Sequence, residues 1–435
     1  MKSNDNFQFH PLSFLSWISI LKETGILGFA FIFASISNKF FDIRDSASVI
    51  SGKLSTAMLF RGFSIAIAIL LIFPYLKVIR LPNKIGLKTI FLYVIFSLLS
   101  IFWSYTPIAT AGKSIEVLIG MVTILAASSC NNNRKRLMSF FNIAIYLMAV
   151  QVLIAFLGWF LGFSKFIEPT FGGLSIITHS RIAAPFLSAN SVGYYSALII
   201  IVIINAIPKR VKLSPLILGY LLFFIATLLL STSRTSIGIV LLGLLSLVYF
   251  ENKKLFTLLA IPLSIIPIMD FTDLASSIFS FVQGNQAAHI TSTLSGRTIL
   301  WQHALELCKE NPFFGSGFGI GSRVLFSLSN LKGFSDTIST AHNGFLEVFM
   351  GVGVLGFLPW FIALIYYLSV SLKNYSDRKS NLSILWSIWP VILISSIMSV
   401  GIGGASSELF LLFLIVLSYH DIKSSDVQVR IRLSL

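Results

Sequence analysis

Apolar residues run along this chain in stretches long enough to cross a bilayer, separated by short polar connections. About twelve such stretches are legible. They lie near residues 24–38, 58–75, 88–104, 112–129, 140–162, 190–207, 213–231, 235–250, 255–270, 345–371, 384–402 and 406–420. Each is continuous rather than alternating, which selects α-helices over the strands of a β-barrel. The expected fold is all-α: a polytopic integral membrane protein, a single membrane domain over 1–435 with a long outer loop carrying short helices. No internal repeat, low-complexity tract or interdomain linker interrupts the pattern.

The polar connections carry a second pattern. Lys77, Arg80, Lys84 and Lys88 fill one, Arg134, Lys135 and Arg136 another, then Lys209, Arg210 and Lys212, then Lys253 and Lys254. Lys373, Arg378 and Lys379 follow, and the tail adds Lys423, Arg430 and Arg432. Every second connection is basic, so the positive-inside rule expects both termini in the cytoplasm. The loop at 271–344, the smaller loop near 163–189 and the turn Ser231–Thr235 are then expected outside, facing the periplasm of a bacterial inner membrane. The polar start, Met1 to Pro11, has no small-residue cleavage site after a short apolar core, so the first helix is expected to be an uncleaved insertion signal.

Composition agrees with this picture: 55% of residues are hydrophobic and 11% charged, and the mean hydropathy is +0.87. The net charge of +15 raises the question of nucleic acid. Its distribution answers that question, because the cations sit in short loops and no aromatic-interleaved basic face appears. Cys130 and Cys308 are expected on opposite sides of the membrane, which argues against a disulfide or a zinc site.

Chemistry is expected where outer loops meet helix ends. Arg234, in Ser231-Thr232-Ser233-Arg234-Thr235-Ser236, lies between two apolar helices among hydroxyls suited to an anion. The ordinary alternative is an arginine snorkelling to the outer headgroups. Arg297 follows Ser295, a residue fit to cap a helix running to about Glu310. A cation in a first helical turn opposes the helix dipole unless both serve an anion; otherwise it is a surface arginine. His342 stands at the mouth of a spanning helix, with Asn343 beside it and Glu347 a little over one turn on, placed to orient it or share a proton. A lone loop histidine is otherwise merely solvated. His179 and Arg181, in the smaller outer loop, and Arg61, at the outer end of the second helix, are weaker candidates for contacting an anionic or sugar substrate.

Gly315-Ser316-Gly317-Phe318-Gly319-Ile320-Gly321 has the look of a nucleotide loop but lacks the following Lys-Ser/Thr and a preceding strand. It reads as a turn permitting close backbone approach. Asp270, Asp273, Glu306, Glu310, Asp336 and Glu408 form no metal-ligand spacing, so a mechanism without metal or cofactor is expected, with arginines in the cationic role.

At these residues the chain resembles the bacterial O-antigen ligase and polymerase superfamily, exopolysaccharide polymerases included. His342-Asn343, nine residues, Gly353, two residues, Gly356 fits its His-(Asn/Ser/Gln)-x9-Gly-x-x-(Gly/Thr/Tyr) signature. Ser295-Gly296-Arg297 through Trp301, then Asn311-Pro312-Phe313-Phe314-Gly315-Ser316-Gly317-Phe318-Gly319, is similar to its Gly-Arg…Trp…Asn-Pro…Gly-x-Gly-x-Gly block. Ser231 to Thr235 resembles its Ser-Arg-Thr element, and Trp103-Ser104-Tyr105-Thr106-Pro107 its Trp-Ser-x-x-Pro turn.

The resemblance implies inverting glycosyl transfer from a polyprenyl diphosphate, such as undecaprenyl diphosphate, to an acceptor sugar hydroxyl. It gives Arg234 and Arg297 the diphosphate and His342 the acceptor. The acceptor is a lipid-linked repeat unit in a polymerase of O-antigen or exopolysaccharide, and lipid A–core in a ligase. The Gly-Arg…Trp block is closer to the polymerase branch, and protein-glycosylating ligases stay open. The implied partners are these glycolipids and membrane lipids, with a chain-length regulator and a flippase beside them and no nucleic acid. A polysaccharide or lipid transporter is the alternative of another class, but its ionisable residues belong at the midplane of broken helices.

Overall fold

The computed structural model describes residues 22–36, 56–80, 83–169, 180–206, 214–251, 297–321, 324–325, 340–376, 383–399, 401–403 and 407–432. Thirteen α-helices dominate them. Six are long and apolar enough to cross a membrane: Leu59–Val78, Ile85–Trp103, Pro107–Ser129, Asn133–Phe160, Ala189–Ala206 and Gly344–Tyr375. Four shorter apolar helices, Ile26–Ile36, Pro215–Leu230, Arg234–Phe250 and Ile384–Met398, coincide with other expected stretches. The stretch expected at 255–270, most of the long loop and His179 lie outside the described residues. The chain is thus a mostly helical membrane protein, with six helices of spanning length among the described residues.

One departure from an all-helical plan lies in the smaller loop. Strand β1 (Ile167–Pro169) pairs antiparallel with β2 (Ser180–Ile182), with Glu168 opposite Arg181.

The described residues fall into two compact units. The first takes in 149–299 and 372–391. At its centre is α6 (Ala189–Ala206), packed against α7 (Pro215–Leu230) and α8 (Arg234–Glu251). Gly193 lets α6 approach the turn between α7 and α8, since a Cβ there would meet the side chains of Ser231, Ser233 and Ser236. Ser196 and Thr227 share a buried hydrogen bond of 2.9 Å between α6 and α7.

The second unit takes in 10–148, 300–371 and 392–435. Helices α1 (Ile26–Ile36), α2 (Thr56–Ile72) and α4 (Pro107–Ser129) share an apolar core of Ala30, Ala34, Ala68, Ile72 and Ile119. Helices α3 (Ile85–Leu99) and α13 (Glu408–Arg432) also pack on α4. Tyr93 of α3 donates its buried hydroxyl to the carbonyl of Gly403. The helix α10 (Gly344–Ser376) completes this unit up to Ser371, and it is broken at Gly353.

That break has a specific cause. In an unbroken helix Val354 and Leu355 would donate to the carbonyls of Met350 and Gly351. Here the Gly-rich loop enters both rungs. Val354 N–H donates to Pro312 O (2.8 Å) and Leu355 N–H to Phe313 O (3.2 Å). The carbonyls of Met350 and Gly351 accept instead from Ser316 N–H (2.8 Å) and Gly317 N–H (2.9 Å). All four groups of these two rungs have partners, which backbone at membrane depth requires. The exchange needs glycine on both sides. Gly353 adopts φ 61°, ψ −170°, and a Cβ there would strike the carbonyl of Phe313, while one at Gly315 would strike Gly351.

Candidate active site

The same loop gathers the early Trp-Ser turn. Trp103 donates its indole N–H to Phe314 O (2.9 Å), and Phe318 N–H donates to Ser100 Oγ (3.0 Å). A Cβ on Gly317 would meet Ser104, whose hydroxyl shares a 2.6 Å hydrogen bond with Thr110. Three motifs far apart in sequence, at 103–107, 311–319 and 342–356, therefore form one assembly. The glycine run is the close-approach turn that its sequence suggested, approaching protein backbone.

The imidazole stands at the entrance of this assembly. The helix α9 (Arg297–Cys308) is positioned from Leu300 onward by Leu300, Ala304, Leu307 and Cys308, which cluster with Leu325, Ala341 and Met350. The indole N–H of Trp301 donates to Ala341 O (3.0 Å), and the amide of the same Ala341 donates to the buried carboxylate of Glu347. With both its peptide groups held, Ala341 fixes where the chain turns. His342 follows with φ 49° and is exposed, a conformation that histidine tolerates better than most residues. Asn343 then caps α10, its side-chain oxygen accepting from Phe345 N–H (2.9 Å) and Leu346 N–H (3.2 Å). Asn343 and Glu347 thus bind backbone on either side of His342. Below them burial, then the Glu347 carboxylate, pushes the Cys308 thiol up to about 12.

In the other unit, Arg234 opens α8 and is exposed at a helix N-terminus, where the dipole and the first N–H groups favour anions. The turn before it is rigid: Thr232 has φ 48°, and Ser233 and Ser236 share a 2.7 Å hydrogen bond. Arg181 supports this turn from beneath. Its Nε donates to Ser231 O (3.0 Å), while its terminal nitrogens reach Glu168 Oε1 (3.3 Å) and Asn190 Oδ1 (2.7 Å). Glu168 in turn accepts from Ala189 N–H at the start of α6 (3.0 Å). Arg181 therefore joins β2, α6 and the Ser-Arg-Thr turn. Arg297 is the first described residue of α9, and the expected cap, Ser295, lies outside the described residues.

Arg61 meets a partner that the sequence reading missed. Its guanidinium pairs with both carboxylate oxygens of Glu116, and Lys113 Nζ lies 3.7 Å from the same carboxylate. Glu116 and Lys113 are buried in α4. The signal was available, since charged side chains inside an apolar span call for partners or function.

These features define a class: a polytopic helical membrane protein with an arginine at a helix N-terminus and an exposed imidazole at the mouth of a broken helix. Residues 219–361 match the family model described as O-antigen ligase. That stretch contains Arg234, Arg297, His342, Asn343 and Glu347, while Arg61, His179 and Arg181 precede it. Among curated proteins none matches the chain.

Proposed function

We propose that this protein is an inverting glycosyltransferase of about twelve spans that works at the outer face of a bacterial inner membrane, without metal. Its donor is a glycan on polyprenyl diphosphate, and its principal activity is polymerising lipid-linked repeat units. The observation that carries the reading is the held, exposed His342 within an O-antigen ligase-type domain.

The acceptor hydroxyl oxygen attacks the anomeric carbon from the face opposite the diphosphate, and the sugar–phosphate bond breaks with inversion. The hydroxyl proton passes to His342 as it becomes acidic in the transition state. Negative charge grows on the departing diphosphate, which stays on its lipid. Arg234 and Arg297 meet that charge with forked donors that suit phosphate oxygens. Arg181 holds the turn that presents Arg234, and Glu347 holds the turn that presents His342.

A second reading, transfer of the finished glycan to lipid A–core, is favoured by the description of the matching family model as O-antigen ligase. One experiment separates the two. Purified protein in detergent receives a polyprenyl-diphosphate oligosaccharide, with and without lipid A–core, and products are resolved by mass. Lengthening of lipid-linked chains from donor alone establishes the polymerase, and product only with lipid A–core establishes the ligase. No product in either tube, beside an active control enzyme, rejects both.

A further inference from the structure

The helix α4 runs 23 residues from Pro107, beside the Trp103–Phe314 contact, to Ser129. At ~1.5 Å per residue this covers about 35 Å, the thickness of a hydrocarbon core with some margin. At the far end lies a crevice of about 630 Å³ whose lining includes Tyr75, Lys77, Arg80, Ser129, Asn131 and Arg136. It is a full membrane thickness away from the His342 assembly, so it takes no part in the transfer site.

Four observations point to its ligand. The residues lining the crevice supply three cations and no carboxylate. Arg136 lies in the first turn of α5 (Asn133–Phe160), with Arg134 and Lys135 beside it and no acidic residue there. Such a turn opposes the helix dipole and favours an anion. The Nε of Arg136 is buried without a hydrogen-bond partner among the described residues. Finally, the 3-10 turn Phe73–Val78, which supplies Tyr75 and Lys77, leaves Phe73, Leu76 and Val78 exposed. Cations flanked by exposed apolar side chains match an amphiphile. Its frame is fixed, because the backbone N–H of Arg80 donates to Ser129 Oγ at 2.9 Å.

We infer that this crevice is a binding site for the phosphate headgroup of an anionic phospholipid, which enters from the leaflet opposite the transfer site. Lys77, Arg80 and Arg136 contact the phosphate, Tyr75 and Asn131 contact the headgroup, and the acyl chains lie along Phe73 and Leu76. The shared chemistry is phosphate, and the apolar flank selects a lipid over a free ion.

The test uses the full chain in detergent micelles, with lipid retention read by native mass spectrometry. Added phosphatidylglycerol should be retained at least about tenfold over phosphatidylcholine. The combined variant K77Q/R80Q/R136Q should lose that preference, whereas Lys135→Gln, on the same turn but not lining the crevice, should keep it. Equal retention of the two lipids by the wild-type chain overturns the proposal without any variant, as does an unchanged preference in the combined variant. Inorganic phosphate in molar excess should leave the lipid bound, and its full displacement would reassign the crevice to a soluble anion and overturn the lipid site. Should the combined variant not purify, Arg136→Gln alone should weaken the preference severalfold.

Discussion

Trp301 donates its indole hydrogen to the carbonyl of Ala341, one residue before His342. Because Glu347 accepts from the amide of that same alanine, the imidazole follows a residue whose N–H and C=O are both held. Trp301→Phe keeps an aromatic ring at this position and removes the donor. Transfer should fall by about tenfold to a hundredfold, as misplacement of a reacting group does. The loss should appear in kcat with KM little changed, and the melting temperature should move only slightly. An unchanged kcat would remove Trp301 from the positioning of His342.

His342→Ala and Arg297→Ala should leave membrane insertion and the melting temperature near wild type and abolish transfer. Glycan output at the wild-type level from either variant takes that residue out of the mechanism.

Gly353→Ala and Gly351→Ala differ by two positions and should differ sharply. At Gly353 a Cβ meets the Phe313 carbonyl in a backbone conformation reserved for glycine, whereas at Gly351 the nearest atoms stand 3.4 Å away. The first should lose more than about 3 kcal/mol and with it most folded protein. The second should lose under about 1 kcal/mol. Thermal size-exclusion profiles of the two variants make the comparison.

Glu116→Gln removes the negative charge that faces the half-buried Arg61 and the buried Lys113 and should cost about 3–5 kcal/mol. Adding Arg61→Met to that variant should recover part of the loss. A double-mutant cycle on melting curves measures the coupling, and strict additivity would show that the pair contributes nothing.

Cys308 should resist alkylation at pH 8 in the folded chain, while the half-exposed Cys130 reacts. The thiol is held protonated up to about 12 when folded and ionises near 9 when unfolded. Its contribution to stability is therefore complete below pH 9 and is lost as pH rises towards 12. Cys308→Ala should flatten the fall in melting temperature over that range, and an equal slope in both proteins would contradict the assignment.

Much of this was legible along the chain. Apolar runs located the helices because lipid imposes one length and one period. The close-approach role of the Gly315–Gly321 run was legible too. What it approaches was not, because a backbone exchange between 312–317 and 350–355 leaves no mark on hydropathy. Nor do side chains announce whether their polar atoms are already engaged. The backbone bonds of Asn343 and Glu347, and the ties of Arg181 to Ser231, Glu168 and Asn190, are visible only in the structure. Glu116 was overlooked because a lone carboxylate in an apolar run gains meaning only when Arg61 is seen across from it. The two-stranded ribbon at 167–182 is too short to register as a period.

The broken helix also constrains how the chain is made. Residues 312–317 leave the ribosome before 350–355, so the loop must wait for the helix it enters. Until they meet, the carbonyls of Met350 and Gly351 and the amides of Val354 and Leu355 can close ordinary helical rungs with one another, so the later segment can form a straight helix first. Seating the loop then trades two rungs within one helix for four bonds between segments about forty residues apart.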